Sequence, residues 1–268
     1  DGESHFQDHA LLYGCAVNFE GLCQAGMGLA INDYNGDGLL DIYVTHYFEE
    51  SNTLYRNLGA RGFLDVTSRL GLHRPTMQSL GFGVVMSDLD QNGLADMFIT
   101  NGHVEYYPEN PVLEMTPQVF QYDGDRWLDI SGWCGEFFDK KLVGRGVAAI
   151  DLDNDGDLDM AVVHQNGPAA LLRNDSQRGH WLKLSLVGIT SPRRGIGARV
   201  TVTAGDQQYV QEMVGGSSYQ STHQPMLIYG LGDHADPCQV TIGWPSGVSQ
   251  VIENVDVDQE LVVVEQAG

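Results

Sequence analysis

Asp151-Leu-Asp-Asn-Asp-Gly-Asp-Leu-Asp159 places five carboxylates within nine residues and runs straight into the apolar Met160-Ala-Val-Val163. Like charges packed this closely repel in any dielectric, so the stretch needs a cation among its oxygens. Donors on alternate residues suit a hard ion that takes about six to eight oxygen ligands in a flexible shell, which favours Ca²⁺ over Mg²⁺.

The pattern occurs three times. Asp33-Tyr-Asn-Gly-Asp-Gly-Leu-Leu-Asp41 and Asp88-Leu-Asp-Gln-Asn-Gly-Leu-Ala-Asp96 share its spacing, and each is followed by a strand-like run, Ile42-Tyr-Val-Thr45 or Met97-Phe-Ile-Thr100. A Gly-x-Gly precedes each loop (Gly26-Met-Gly28, Gly81-Phe-Gly83, Gly144-Arg-Gly146), its first Gly seven residues before the first loop Asp. Later segments repeat as well. Asn52-Thr-Leu-Tyr-Arg-Asn57 matches Ala169-Ala-Leu-Leu-Arg-Asn174, with Gln118-Val-Phe-Gln-Tyr122 in the corresponding place. An aromatic-x-Asp pattern recurs in Phe63-Leu-Asp-Val-Thr67 and Trp127-Leu-Asp-Ile-Ser131. Phe6-Gln-Asp8 shares that last pattern and is expected to be the closing strand of a preceding unit. Up to four short strands per unit, with loops 55 and 63 residues apart, is the signature of β-propeller blades.

Numbered from its first Asp, each loop offers side-chain oxygens at positions 1, 3 and 5: Asp33, Asn35 and Asp37; Asp88, Asp90 and Asn92; Asp151, Asp153 and Asp155. Position 6 is always Gly, where the chain must turn around an ion. Position 7 (Leu39, Leu94, Asp157) is expected to give a main-chain carbonyl and position 9 (Asp41, Asp96, Asp159) another carboxylate. We therefore expect three Ca²⁺ sites. An EF-hand shares the first half of this pattern but requires a bidentate Glu at position 12, where Val44, Ile99 and Val162 stand, and its flanks are helices.

From His180 the texture changes. Trp181-Leu-Lys-Leu-Ser-Leu-Val187, Ala198-Arg-Val-Thr-Val-Thr203, Tyr209-Val-Gln-Glu-Met-Val214, Met226-Leu-Ile-Tyr229, Gln239-Val-Thr-Ile-Gly243 and Gln259-Glu-Leu-Val-Val-Val264 read as strands between Gly, Pro and Ser turns. The expected fold is all-β: propeller-type blades over residues 1–177, as a partial or open propeller, then a β-sandwich-like domain over 178–268.

The Gly-x-Gly…Asp-x-Asp-x-Asp-Gly-x-x-Asp units resemble FG-GAP/VCBS repeats, as in the Ca²⁺-binding propeller of integrin α chains. The tail, with Arg194-Gly-Ile-Gly-Ala-Arg-Val200, Gly230-Leu-Gly232 and Trp244-Pro-Ser-Gly247, is similar to the ASPIC/UnbV domain that follows such repeats in proteins of the cartilage acidic protein type. The resemblance implies an extracellular Ca²⁺-binding module for adhesion or for interaction with a protein or glycan, more readily than an enzyme. Three loop-bearing units are fewer than the about four to eight blades at which propellers close. Missing blades, an open arc, an edge-covering subunit or cover by the C-terminal domain are the alternatives, and a fragment or cover by that domain is the preferred expectation.

With 36 acids against 14 bases the net charge is −22, which excludes nucleic acid and anionic lipid as natural partners. Eleven of the acids lie in the three loops, and three Ca²⁺ would bring −22 only to −16. No apolar run approaches the roughly 20 residues of a membrane span. The start at Asp1, without Met or apolar leader, fits a processed secreted (extracellular or periplasmic) protein or a fragment, and Asn174-Asp-Ser176 is an N-glycosylation sequon. Cys15, Cys23, Cys134 and Cys238 form no CxxC; Cys15–Cys23 is the preferred disulfide in an oxidising compartment, against four separate thiols.

The position five residues after each last loop Asp holds His46, Asn101 or His164, with His103 nearby. These residues lie at the far end of the loop strand and are the place for an alternative reading, an enzyme or biosynthetic accessory protein, or a second metal site through His46 and His164. Glu105, Glu109 and Glu114 are candidate paired carboxylates for glycosidic chemistry, though an acidic solvated loop is the expected account. Tyr106-Tyr107 and Arg193-Arg194 are candidate contact points, with a packed loop and a solvated turn as the plainer readings.

Overall fold

The computed structural model describes residues 5–105, 113–176 and 179–267, and the chain is all-β. Three antiparallel meanders follow one another. The first is β1 (Leu29–Asn32), β2 (Asp41–Val44), β3 (Thr53–Asn57) and β4 (Phe63–Asp65); the second is β5 (Gly81–Ser87), β6 (Asp96–Asn101), β7 (Gln118–Tyr122) and β8 (Trp127–Asp129). The third has three strands among the described residues: β9 (Gly144–Ile150), β10 (Asp159–His164) and β11 (Ala170–Leu172). Their first strands lie side by side, β1 against β5 and β5 against β9, as in an arc of propeller blades.

Alternation within each strand decides which blade a side chain meets. In β6, Met97 and Ile99 join the core shared with the first blade (Tyr43, Leu54, Phe120, Trp127), while Phe98 joins the core shared with the third (Val119, Val147, Met160). The loop-bearing β-turn therefore sits at one end of every blade and the His46, Asn101 and His164 positions at the other.

The Gly-x-Gly marks are where blades touch. Thr45 Oγ1 accepts the Gly28 amide (2.7 Å) and donates to the carbonyl of Phe82, the middle residue of the next blade's Gly-x-Gly (2.8 Å). Thr100 Oγ1 does the same one blade on, accepting from the Gly83 amide (2.8 Å) and donating to the Arg145 carbonyl. A Cβ on Gly28 would stand 2.0 Å from the Phe82 carbonyl oxygen and one on Gly83 2.6 Å from that of Arg145, so only glycine permits this approach.

The C-terminal region is a sandwich. One sheet has β12 (His180–Val187) between β15 (Leu227–Gly232) and a parallel β18 (Gln259–Val264); the other runs β14 (Gln207–Glu212), β13 (Arg199–Ala204), β16 (Cys238–Gly243) and β17 (Ser249–Val255). Leu182, Leu184 and Leu186 of the first sheet and Val200, Val202, Val240 and Ile242 of the second share one core. The strand β17 escapes the sequence reading because it is an edge strand with four exposed positions among seven residues.

The C-terminal region covers the inner rim of the arc. The connection between β14 and β15 crosses all three first strands. Ser218 exchanges backbone hydrogen bonds with Leu29 (2.7 and 3.2 Å), its Oγ accepts the Val84 amide (3.1 Å), and the Gln224 amide donates to Ala149 O (2.9 Å). Unpaired inner edges are thereby satisfied. Residues 5–25, by contrast, form no strand, against the expectation for Phe6-Gln-Asp8; they wrap the outer side of the first blade, where Phe63 N donates to Tyr13 O (2.7 Å) and Phe19 N to Asp65 Oδ2 (2.8 Å). All four cysteines are unbridged, so the expected Cys15–Cys23 disulfide is not formed: Cys15 Sγ donates to Ala10 O and Cys23 is exposed.

Two outcomes follow from this packing. Thr100→Val keeps shape but leaves the Gly83 amide and Arg145 carbonyl unpaired, and should cost about 1–3 kcal/mol in chemical denaturation. In the sandwich, Glu265 is buried, which by itself would raise its carboxyl. Donors from the Ser246 hydroxyl, the Ser191 amide and hydroxyl and the Ile189 amide outweigh that burial and hold the pKa at about 2. A pKa below the ordinary 4.5 contributes stability above about pH 4.5 that is lost as pH falls towards about 2. Glu265→Gln should therefore lower the melting temperature at pH 7, with the gap to wild type closing across that acid window.

Candidate metal centres

Each loop is folded by its own carboxylates. Position 1 accepts two amides: Asp33 from Asp37 and Gly38 (3.1 and 2.7 Å), Asp88 from Asn92 and Gly93 (3.1 and 2.8 Å), Asp151 from Asp155 and Gly156 (3.1 and 3.3 Å). Position 9 accepts the amide of position 2: Asp41 from Tyr34 (3.3 Å), Asp96 from Leu89 (2.9 Å), Asp159 from Leu152 (2.8 Å). The position-6 glycines all have positive φ (78°, 88° and 92°), as the turn requires.

Three carboxylates converge in two loops. Asp88, Asp90 and Asp96 bring oxygens within 4.8 Å of one another, and so do Asp151, Asp153 and Asp159. Among the described residues the acids of the first loop form no such group. Asn35 replaces an acid at position 3, and Asp37 is drawn to Arg56 at 2.9 Å. In each loop the position-5 side chain accepts the amide of position 7: Asp37 from Leu39 (3.0 Å), Asn92 from Leu94 (2.7 Å) and Asp155 from Asp157 (3.3 Å).

Burial makes these carboxylates expensive. It raises Asp41 to about 7, Asp88 to about 7 and Asp96 to about 8, with neighbouring Asp37 and Asp33, or Asp90, adding to the rise against the loop amides that lower it. In the first and third loops both oxygens of position 9 are occupied, the second by the amide of Asn57 (2.7 Å) or Asn174 (2.8 Å). The second blade has Tyr122 in place of that Asn, and Asp96 Oδ1 is buried without a partner. An oxygen-only cluster with such an atom fits a hard cation.

The C-terminal sandwich sits on all three loops. Arg199 donates to the Gly38 carbonyl of the first. At the second, the Gly232 amide donates to Gln91 O (3.0 Å), and a Cβ on Gly230 would stand 1.9 Å from Asp88 Oδ2. At the third, Trp181 covers Gly156, and Lys183 Nζ reaches Asp151 Oδ2 at 2.8 Å and Glu260 Oε2 at 3.3 Å, the Lys183 and Asp151 side chains being 3% and 0% exposed. Sequence reasoning missed Lys183. Its one signal was a charge in β12 among Leu182, Leu184 and Leu186, and the strand's alternation shows only that it faces away from the sandwich core.

The far face holds no single constellation. Asn101 and His164 line a cavity of about 10 Å³ with Thr100 and Met115, and His46 is not among its walls. His46 is buried in the first blade, and burial lowers its pKa against the opposing pull of the Ala25 backbone. His103 packs against Tyr47 and Phe48. The second metal site through His46 and His164 is thus not formed among the described residues. Glu109 and Tyr106-Tyr107 lie outside the described residues; Glu114 pairs by a β-bridge with Gly102, and Arg193 and Arg194 are exposed. The sequon's Asn174 amide is already engaged, donating to Leu89 O at 2.7 Å.

The fold and the loops define the class, and comparison with known families agrees. A model of the FG-GAP-like repeat matches residues 33–99, and a model described as ASPIC and UnbV matches residues 188–268. The chain therefore joins FG-GAP-like repeats to a C-terminal ASPIC/UnbV domain. It is similar to cartilage acidic protein 1 of Homo sapiens (26% identical over 255 residues, 90% of this chain and 36% of that protein) and of Mus musculus (25% over 256 residues, 90% and 37%). The Xenopus tropicalis protein of the same name is 25% identical over 92% of this chain. The chain thus spans little more than a third of the length of these relatives.

Breaking the Lys183–Asp151 pair from one side leaves a buried carboxylate uncompensated. Lys183→Met should destabilise the chelator-treated protein by roughly 3–5 kcal/mol in denaturant titration. A loss below about 1 kcal/mol would mean that solvent or another group takes over the charge.

Proposed function

We propose that this chain is an extracellular calcium-binding module that presents a fixed surface to a protein or glycan ligand. The observation that carries the reading is the repeated loop, with its converging carboxylates and the unpartnered buried Asp96 Oδ1. The residues that would hold the ions are Asp33, Asn35, Asp37 and Asp41; Asp88, Asp90, Asn92 and Asp96; and Asp151, Asp153, Asp155 and Asp159, with the carbonyls of Leu39, Leu94 and Asp157. A bound cation would supply the positive charge that these buried oxygens lack. Location outside the cell rests on the relatives, whose name places them in cartilage, and on the resemblance to integrin-type repeats. No helix among the described residues is long and apolar enough to cross a membrane.

In this reading the ions act at a distance from the ligand. The sandwich stands on all three loops, so ordering them fixes the blades and the second domain together. A surface made by both would be presented in one geometry, which lowers the entropy lost on binding.

Calorimetric titration should find three Ca²⁺ per chain. Chelation should lower the melting temperature, since a ligand bound at about 100 times its Kd contributes about 2.7 kcal/mol. Asp153→Ala should remove or weaken one ion while leaving the other two. A melting temperature unmoved by chelation would refute the proposal.

A further inference from the structure

The same carboxylate atom meets different company in two of the loops. In every loop the Oδ2 of position 1 accepts the amide of the position-6 glycine. Against Asp88 Oδ2 the sandwich brings the backbone of Gly230, so close that a Cβ there would stand 1.9 Å away. Against Asp151 Oδ2 it brings an ammonium, Lys183 Nζ at 2.8 Å, with 3% of the lysine side chain and none of the aspartate side chain exposed. The alternation of β12 puts it there. Leu182, Leu184 and Leu186 face the sandwich core, so Trp181, Lys183 and Ser185 face the other way, and Trp181 lies over Gly156 beside the lysine.

A buried ammonium is costly unless it is paired, and this one has two partners. Parallel pairing of β12 with β18 sets Lys183 opposite Glu260, whose Oε2 is 3.3 Å from Nζ and whose Oε1 accepts the Ser185 hydroxyl at 2.8 Å. The Glu260 side chain is 41% exposed, at the rim of the contact. Lys183 therefore stands between two different carboxylates. Asp151 converges with Asp153 and Asp159 in the cluster of the third loop, and Glu260 belongs to the sandwich. A fixed positive charge on an oxygen of that cluster opposes a divalent ion twice over: it engages a carboxylate on which the ion draws, and it repels the ion at short range in buried surroundings.

We propose that Lys183 is a tethered counter-cation of the third loop. It answers the charge of Asp151 when no ion is bound, lowers the affinity of the loop for Ca²⁺, and passes to Glu260 as the ion binds. The inference rests on the calcium reading above and deepens it, because it couples filling of the third loop to the β12–β18 pair of the sandwich. Linkage is reciprocal: what Lys183 contributes to the fold without the ion is subtracted from the binding of the ion.

Calorimetric Ca²⁺ titration of the full chain tests this, with Asp153→Ala marking the binding event of the third loop and Asp90→Ala that of the second. Lys183→Met should tighten the third-loop event about tenfold or more and leave the second unchanged. Lys183→Arg, which keeps the charge, should keep the weaker binding. Glu260→Gln, which leaves the displaced ammonium without its second carboxylate, should weaken the third-loop event further. If Lys183→Met folds poorly without the ion, it can be prepared in Ca²⁺ and its release into a chelator followed; release slower than in wild type reads the same tightening. A third-loop affinity that is unchanged or weaker in Lys183→Met overturns the proposal, as does equal tightening by Lys183→Arg, or a Glu260→Gln that binds like wild type. Absence of Ca²⁺ binding by any loop of the wild type would overturn the calcium reading and this inference with it. Three bound ions, with the third indifferent to Lys183, would overturn this inference alone.

Discussion

Everything in this chain is arranged around negative charge taken out of water. Asp41, Asp96, Asp151 and Asp159 are at most 3% exposed, and the sandwich that buries the loops cannot rest there unless the charge is answered. Backbone amides provide part of the answer. Each position-1 and position-9 carboxylate accepts amides of its own loop, so the acids are the staples of the turn and, in the proposed function, also the donors for a cation. The remainder differs from loop to loop. The first loop has Asp37 on Arg56, the third has Lys183 on Asp151, and the second has neither; there burial, with Asp90 adding to it, raises Asp88 and Asp96 above the ordinary carboxylate range.

The same economy of contact governs the blades. A threonine at the end of each second strand holds the carbonyl inside the next blade's Gly-x-Gly, and the glycines let the two backbones close to that distance. Thr45 and Thr100 have this work because a blade follows each of them. The matching residue of the third blade is Val163, half exposed, with no following blade among the described residues to hold. Beside its methyl, Gly146 meets the β14–β15 connection at Ser221 and Tyr219 instead of another Gly-x-Gly.

Much of this was legible. Loop spacing, glycine offsets and strand alternation pointed to the three blades, the sandwich and the acidic turns, because each of these is a local pattern with a short period. What stayed hidden depends on contacts between distant segments. Lys183 is an unremarkable lysine until β12 is laid on the third loop. The sequon reads as a glycan acceptor until the Asn174 amide is seen to bond Leu89 in another blade. His46 and His164 hold equivalent positions in sequence, but equivalence along a repeat places residues on successive blades, not side by side. The strand β17 was missed for a different reason: as an edge strand it has too little buried surface to impose a pattern.

The fate of the strand edges separates what the chain completes from what it leaves open. Inner edges are met by the β14–β15 connection, whose backbone and Ser218 hydroxyl supply bonds to β1, β5 and β9. On the outer side, the first blade is wrapped by residues 9–25, and the second is covered along β8 by the exit of the first. Among the described residues of the blades β11 has a bare outer edge, next to apolar walls that in the preceding junction are filled by a tryptophan. Solvated edges are commonly blunted by charge, proline or a bulge. Ala170-Leu-Leu172 carries none of these within the strand, and the exposed Leu171 makes the edge more adhesive still. An edge of this composition is consistent with a strand that is meant to be covered.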